Sequence, residues 1–167
     1  MSVTLPSHDL LFMRAALEEA VRAASLGEVP IAAVLVRHDA VLVRSHNHRE
    51  TWQDPTAHAE LIAIRAGSQQ LGTWRLSDCT LYVTVEPCAM CLGAIILARI
   101  PRVVFGAWDP KGGACGSVVD LTREPRLNHR VSVMGGVLLE ESQALLREFF
   151  RGLRTEPTLQ GERHDLF

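Results

Sequence analysis

The stretch TLYVTVEPCAMCLGAIILARIPRVVFG, residues 80–106, decides the fold. Thr80–Val85 is rich in β-branched residues and reads as a strand. Pro87 then stands where proline favours a helix start, opening a helix from about Cys88 to Arg99. Val103–Gly106 reads as a short buried strand. The same alternation extends outward on both sides. Upstream, Ser7 caps a helix whose apolar positions Leu10, Met13, Leu17, Val21 and Ala24 recur at helical spacing, and Gly27 stops it. Ile31–Val36 and Ala40–Val43 read as a hairpin turning at His38–Asp39. Asn47–Ala57, with its Asp54-Pro55, reads as a loop. A second helix starts after Thr56, its end bracketed by Gly67 and Gly72. Downstream lie a glycine-rich loop at Trp108–Ser117, a strand at Val131–Met134 and an amphipathic helix at Leu138–Leu153. Alternating strands and helices make a three-layer α/β/α domain, with helices on both faces of one sheet.

The chain has 167 residues, the size of one domain. At 47% hydrophobic and 22% charged, its composition excludes disorder over most of its length. Residues 155–167, TEPTLQGERHDLF, lose hydrophobic periodicity and read as a flexible tail, leaving residues 1–154 as the domain. No apolar run approaches the roughly 18 residues that cross a membrane, and residues 1–15 lack the pattern of a signal peptide. Four cysteines without that pattern point to a reducing, cytoplasmic setting and to thiols or metal ligands rather than disulfides. The net charge of -2 announces no nucleic-acid partner. Its distribution is more telling: residues 1–98 balance to -3, 99–154 to +3 and 155–167 to -2, with Lys111 the only lysine. Solvated helix surface is the plainer account of any one arginine.

Chemistry concentrates in His58-Ala59-Glu60 and Pro87-Cys88-Ala89-Met90-Cys91. Cysteines three apart share one helix face, and a helix N-terminus biases both toward the thiolate that binds metal. His58 from the neighbouring helix start makes a third ligand. Three N/S ligands suit a zinc ion, and three rather than four leave a position for water. Glu60, two residues from His58, would point away from it inside a regular helix; at a first turn both face one pocket. Duller readings stand beside this one. Cys-x-x-Cys also marks thioredoxin-like redox sites. Cys79, Cys88, Cys91 and Cys115 offer a four-cysteine structural zinc site, although this leaves His58 and Glu60 unexplained. The combination His-x-Glu followed by Pro-Cys-x-x-Cys is the specific signal, the signature of zinc nucleobase deaminases. One further feature is legible without any family: Ala89–Ala98, AMCLGAIILA, carries no charge on any side. A helix apolar all round is buried all round, and in so small a domain a two-fold partner would cover its outer face.

On these motifs the chain resembles the bacterial tRNA adenosine deaminases, within the cytidine deaminase-like superfamily. The likeness spans roughly residues 8–154. It is carried by Val29–Val34, Asn47, Asp54–Glu60, Tyr82–Cys91 and Val104–Ala107, then by Asp109–Gly113, Gly116-Ser117, Asn128-His129 and Phe149-Phe150-Arg151. The Asp109–Ser117 loop and the Phe149-Phe150-Arg151 helix narrow it from the superfamily to the tRNA enzymes; Trp108 and Cys115 stand where that family varies. The resemblance implies a five-stranded mixed sheet, a homodimer, and deamination of adenosine to inosine at the wobble position of an anticodon. It implies one zinc ion per subunit on His58, Cys88 and Cys91, with Glu60 as general base and acid. Asn47 would hold the base edge, and Asp109, Lys111, Phe149 and Arg151 would contact the anticodon stem-loop. The nearest rival is a deaminase of a free nucleobase or nucleoside, of cytidine or guanine type. It would share the zinc site but have no use for a positive C-terminal half. A non-catalytic RNA-binding protein with structural zinc would have no need of Glu60.

Overall fold

A computed structural model of the chain describes residues 7–155; the rest of the tail read from the sequence lies outside the described residues. Five strands form one mixed sheet. They are β1 (Ala32–Arg37), β2 (Ala40–His46), β3 (Cys79–Val85), β4 (Arg102–Ala107) and β5 (Ser132–Met134). Their order is β2-β1-β3-β4-β5. β1 pairs antiparallel with both β2 and β3, whereas β3–β4 and β4–β5 are parallel. The hairpin turns where expected: His38 and Asp39 both take positive φ, 49° and 58°, the backbone of the two-residue turn that matches strand twist.

Alternation along the central strands feeds two cores. Leu35, Leu81, Val83, Val103 and Phe105 face one side, packing with Leu92, Ile95 and Ile96. Val34, Tyr82 and Val104 face the other, packing with Phe12, Met13 and Ala16. Helices α3 (Ala59–Leu71) and α4 (Ala89–Leu97) cover the first side; α1 (Ser7–Ser25) and α5 (Leu139–Thr155) cover the second. The three-layer α/β/α arrangement read from the sequence is therefore the observed one. Asp9 ties α1 down: it accepts a bidentate pair from Arg102 at 2.8 and 2.7 Å and the Tyr82 hydroxyl at 2.9 Å. The Arg102 guanidinium holds its carboxyl below the ordinary range, against burial.

Four local expectations change. The buried stripe of α1 runs through Asp9, Phe12, Met13, Ala16, Glu19, Ala20 and Ala23, and Val21 is exposed. The buried ion pairs of Asp9 and Glu19 draw polar residues onto the inner face, which hydrophobic spacing does not anticipate. Gly67 does not end α3. It lies mid-helix, where an added Cβ would meet Leu35 Cδ2 at 2.3 Å, and Gly72 at positive φ forms the cap. The expected loop 47–57 contains a one-turn helix, α2 (Arg49–Trp52). α4 stops at Leu97 because Arg99 turns left-handed.

Candidate active site

The site forms outside the carboxyl ends of the parallel strands β3 and β4, the usual ligand position in open α/β sheets. β3 delivers Glu86, Pro87 and Cys88 directly into the start of α4, and β4 delivers the loop beginning at Trp108. Cys88 is the N-cap of α4, with φ -73° and ψ 172°. His58 is the N-cap of α3, with φ -77° and ψ 148°. Two helix N-termini thus converge on one point. Because the His58 backbone is extended and not yet helical, His58 and Glu60 both line the same cavity despite their spacing.

His58 Nδ1 lies 3.7 Å from Cys88 Sγ and 3.5 Å from Cys91 Sγ. Tetrahedral zinc, with bonds of about 2.0–2.1 Å to nitrogen and about 2.3 Å to sulfur, separates such ligands by about 3.6 Å. The donor set and its spacing fit the ion. Among the described residues this trio is the group of histidine, cysteine and carboxylate side chains gathered closely enough to hold a metal. Cys79 and Cys115 stand apart from it, both buried with thiols pushed up by desolvation, to about 11 and about 12. The four-cysteine alternative is therefore not assembled. Cys88 is drawn down to about 4, first by the hydrogen bond from the Cys91 thiol and then by His58. His58 is raised by the same contact.

Glu60 is 3% exposed, and burial pushes its carboxyl up. Its Oε2 is one of two buried side-chain polar atoms among the described residues with no hydrogen-bond partner. An unpaired buried oxygen costs about 1–3 kcal/mol unless something else satisfies it, so its place on the cavity wall marks it for a ligand or water.

Two buried carboxylates that the sequence reading passed over build the surroundings. Glu28, fully buried, accepts Asn47 Nδ2 at 3.1 Å and the amides of Glu50 and Thr51 at 3.2 and 2.6 Å. It fixes both Asn47 and the first turn of α2. Burial raises its carboxyl, and the Thr51 and Glu50 hydrogen bonds more than reverse this. Glu86 accepts the amides of Asp109 (3.0 Å), Cys115 (2.9 Å) and Ser117 (3.2 Å), together with the Ser117 hydroxyl. Gly113 leaves room for it, since a Cβ there would meet Glu86 Oε2 at 2.2 Å. Replacing Glu86 by Ala strands several of these donors. The expected cost is about 2–3 kcal/mol, a fall of roughly 4–12 °C in melting temperature for a domain of this size, read by thermal denaturation. An unchanged melting temperature would show that the loop holds itself.

The cavity, about 590 Å³, is lined by Asn47, Asp109 and Lys111 among the candidates for substrate contact. Phe149 and Arg151 are not on its wall; the aromatic ring that α5 contributes is Phe150, with Leu146 one helical turn before it. Arg49 and Trp108 join the lining, neither singled out from sequence. Much of the positive charge of residues 99–154 is already engaged. Arg102, Arg123 and Arg126 pair with Asp9, Asp120 and Glu124. Arg99 and Arg130 donate to Asn128 and to backbone carbonyls. Lys111, exposed at the cavity, is placed differently.

Comparison with known proteins agrees with this geometry. The model of the MafB19-like deaminase family matches residues 7–154. A tRNA-specific adenosine deaminase of Bacillus subtilis is 51% identical over 148 residues, covering 89% of this chain and 92% of the relative. One from Aquifex aeolicus is 47% identical, covering 86% and 94%. A solved structure from studies of A-to-I editing by tRNA:A34 deaminases at the wobble position superposes with a TM-score of 0.79 at 46% identity, covering 81% of this chain and 99% of the other.

Proposed function

Since this chain belongs to the MafB19-like deaminase family, we propose that it is the enzyme that converts adenosine to inosine at the wobble position of a tRNA anticodon. The observation that carries this reading is the pairing of a fitted His58–Cys88–Cys91 trio with an orphaned buried Glu60 oxygen on one cavity, in a chain whose relatives at 47–51% identity are tRNA-specific adenosine deaminases.

His58, Cys88 and Cys91 would hold one zinc ion per subunit, which supplies the Lewis acidity that makes water nucleophilic near neutral pH. Glu60 moves the protons. Its carboxylate takes one from the attacking water as oxygen bonds to C6 of adenine, and delivers it to N1. It then carries a second proton to the departing amine, so that adenosine and water become inosine and ammonia. A carboxyl buried on the cavity wall is positioned both to accept and to return a proton. Asn47, held by Glu28, presents its side chain to the base edge. The reacting base must leave its stack to enter the cavity, which suits a single-stranded loop. Asp109 and Lys111 line the cavity where the adjoining backbone would pass, and Phe149 and Arg151 flank Phe150 on α5.

Phosphate contacts release counterions, so affinity for an anticodon stem-loop falls steeply with salt. Lys111→Ala weakens binding and flattens that slope by about one unit if it meets one phosphate. Binding by fluorescence anisotropy across a salt series measures this, and an unaltered slope would remove Lys111 from the interface. The chain also forms a homodimer in this reading. Met90 and Leu97 lie seven residues apart on α4, 38% and 70% exposed, and leave an apolar stripe for a two-fold partner. Light scattering at micromolar concentration gives twice the chain mass; a monomer mass contradicts it. No described helix is long and apolar enough to cross a membrane, and we place the enzyme in the cytoplasm with its tRNA substrate.

A further inference from the structure

The cavity is larger than the chemistry on one base requires. At about 590 Å³ it falls among clefts of roughly 300–1,000 Å³ that enclose whole drug-sized ligands, of which a purine ring is only a part. His58, Glu60, Cys88 and Asn47 account for its polar lining near the reaction. Trp108, Pro110, Leu146 and Phe150 make another part apolar. Trp108 is the unusual member: an indole 46% exposed to water at the cavity wall, yet rigidly seated. Phe105 meets it edge-on, with centroids 4.7 Å apart and planes at 90°. Gly135 makes the space for both rings, since a Cβ there would lie 2.7 Å from Trp108 Cζ2 and 2.5 Å from Phe105 Cζ. On its other side the chain is pinned by the Asp109 amide donating to Glu86.

We infer that Trp108 is a stacking platform for the base of a nucleotide flanking the target adenosine, and so a positioning residue for the RNA substrate. This rests on the tRNA reading above. Withdrawing one base from a single-stranded loop strips its neighbour of a stacking partner. An indole held in place by Phe105 and Gly135 replaces that partner without first losing rotamer freedom. Every base has a π-face, so the contact helps to hold the opened loop while leaving the identity of the flanking base unspecified.

The test uses the full chain with an anticodon stem-loop, and with two matched stem-loops lacking the base immediately 5′ or 3′ of the adenosine. Base–aromatic stacking of ordinary strength predicts that Trp108→Leu raises KM for the intact stem-loop about 5- to 150-fold while kcat at saturation stays near that of the parent. The same variant changes KM little on whichever abasic stem-loop has lost the stacked base. Trp108→Phe, which keeps an aromatic face, recovers part of the loss and serves if the leucine variant fails to fold. In a Trp52→Phe, Trp74→Phe background Trp108 is the sole tryptophan; the intact stem-loop quenches its fluorescence and the abasic one does not. Equal KM for parent and Trp108→Leu, quenching by the abasic stem-loops equal to that by the intact one, or a loss of the same size on all three stem-loops overturns the inference. Failure of the parent to form inosine from the intact stem-loop would instead overturn the substrate reading on which it rests.

Discussion

Glu60→Gln is expected to keep its full complement of zinc and lose turnover on an anticodon stem-loop by about 10²–10⁴-fold, the usual contribution of a positioned acid–base group. The amide is nearly isosteric and neutral, as the buried site prefers, so the fold is retained. What disappears is the ability to accept a proton from water and return it to the amine. The side chain is 3% exposed, with Oε2 unpaired on the cavity wall. Metal content by plasma emission and single-turnover inosine formation measure the two halves separately. Loss of zinc together with turnover would make Glu60 a ligand. Retention of both would remove it from the chemistry.

Cys91→Ala produces the other large effect, of a different kind. Two ligands do not hold zinc as three do, and metal and activity fall together, activity to background. Cys88→Ala behaves alike. The fold persists, because the core clusters are built from β1, β3, β4 and their helices and not from the metal; circular dichroism of the variants therefore matches the parent. Chelation of the parent lowers its melting temperature through the lost binding energy and abolishes turnover, and added zinc restores both. The ligands bind as thiolate and neutral imidazole, so zinc affinity weakens as pH falls and protons compete for them. A Cys91→Ala protein that retained one zinc per chain would contradict the ligand assignment.

The contrast between Glu60 and Glu86 shows what a one-dimensional reading reaches. The gathering of His58, Glu60, Cys88 and Cys91 is legible because its signal is local: two short motifs, each at a helix start, with spacings that carry geometric meaning. Extended backbone at His58 is what lets an i, i+2 pair face one cavity, and the entry into the helix suggested it. Glu86 and Glu28 bind partners 19–31 residues away, and no spacing announces that. The phase of α1 was misjudged for a related reason, since Asp9 and Glu19 enter the interior through Arg102 and His46, which sequence periodicity scores as polar. On α5 the resemblance pointed to Phe149, but successive helix residues diverge by about 100°, and Phe150 lines the cavity. The charge asymmetry between halves was real, but Arg102 sets one of its positive charges against Asp9 in the other half.

The most direct test of the central claim is inosine formation by the pure zinc-loaded enzyme from an anticodon stem-loop carrying adenosine at the wobble position, set against free adenosine at equal concentration. Rapid conversion of the wobble adenosine is expected, with little or none of the free nucleoside and none of the other adenosines in the stem-loop. Equal turnover of nucleoside and stem-loop, insensitive to salt, would contradict it and indicate a deaminase of free nucleosides.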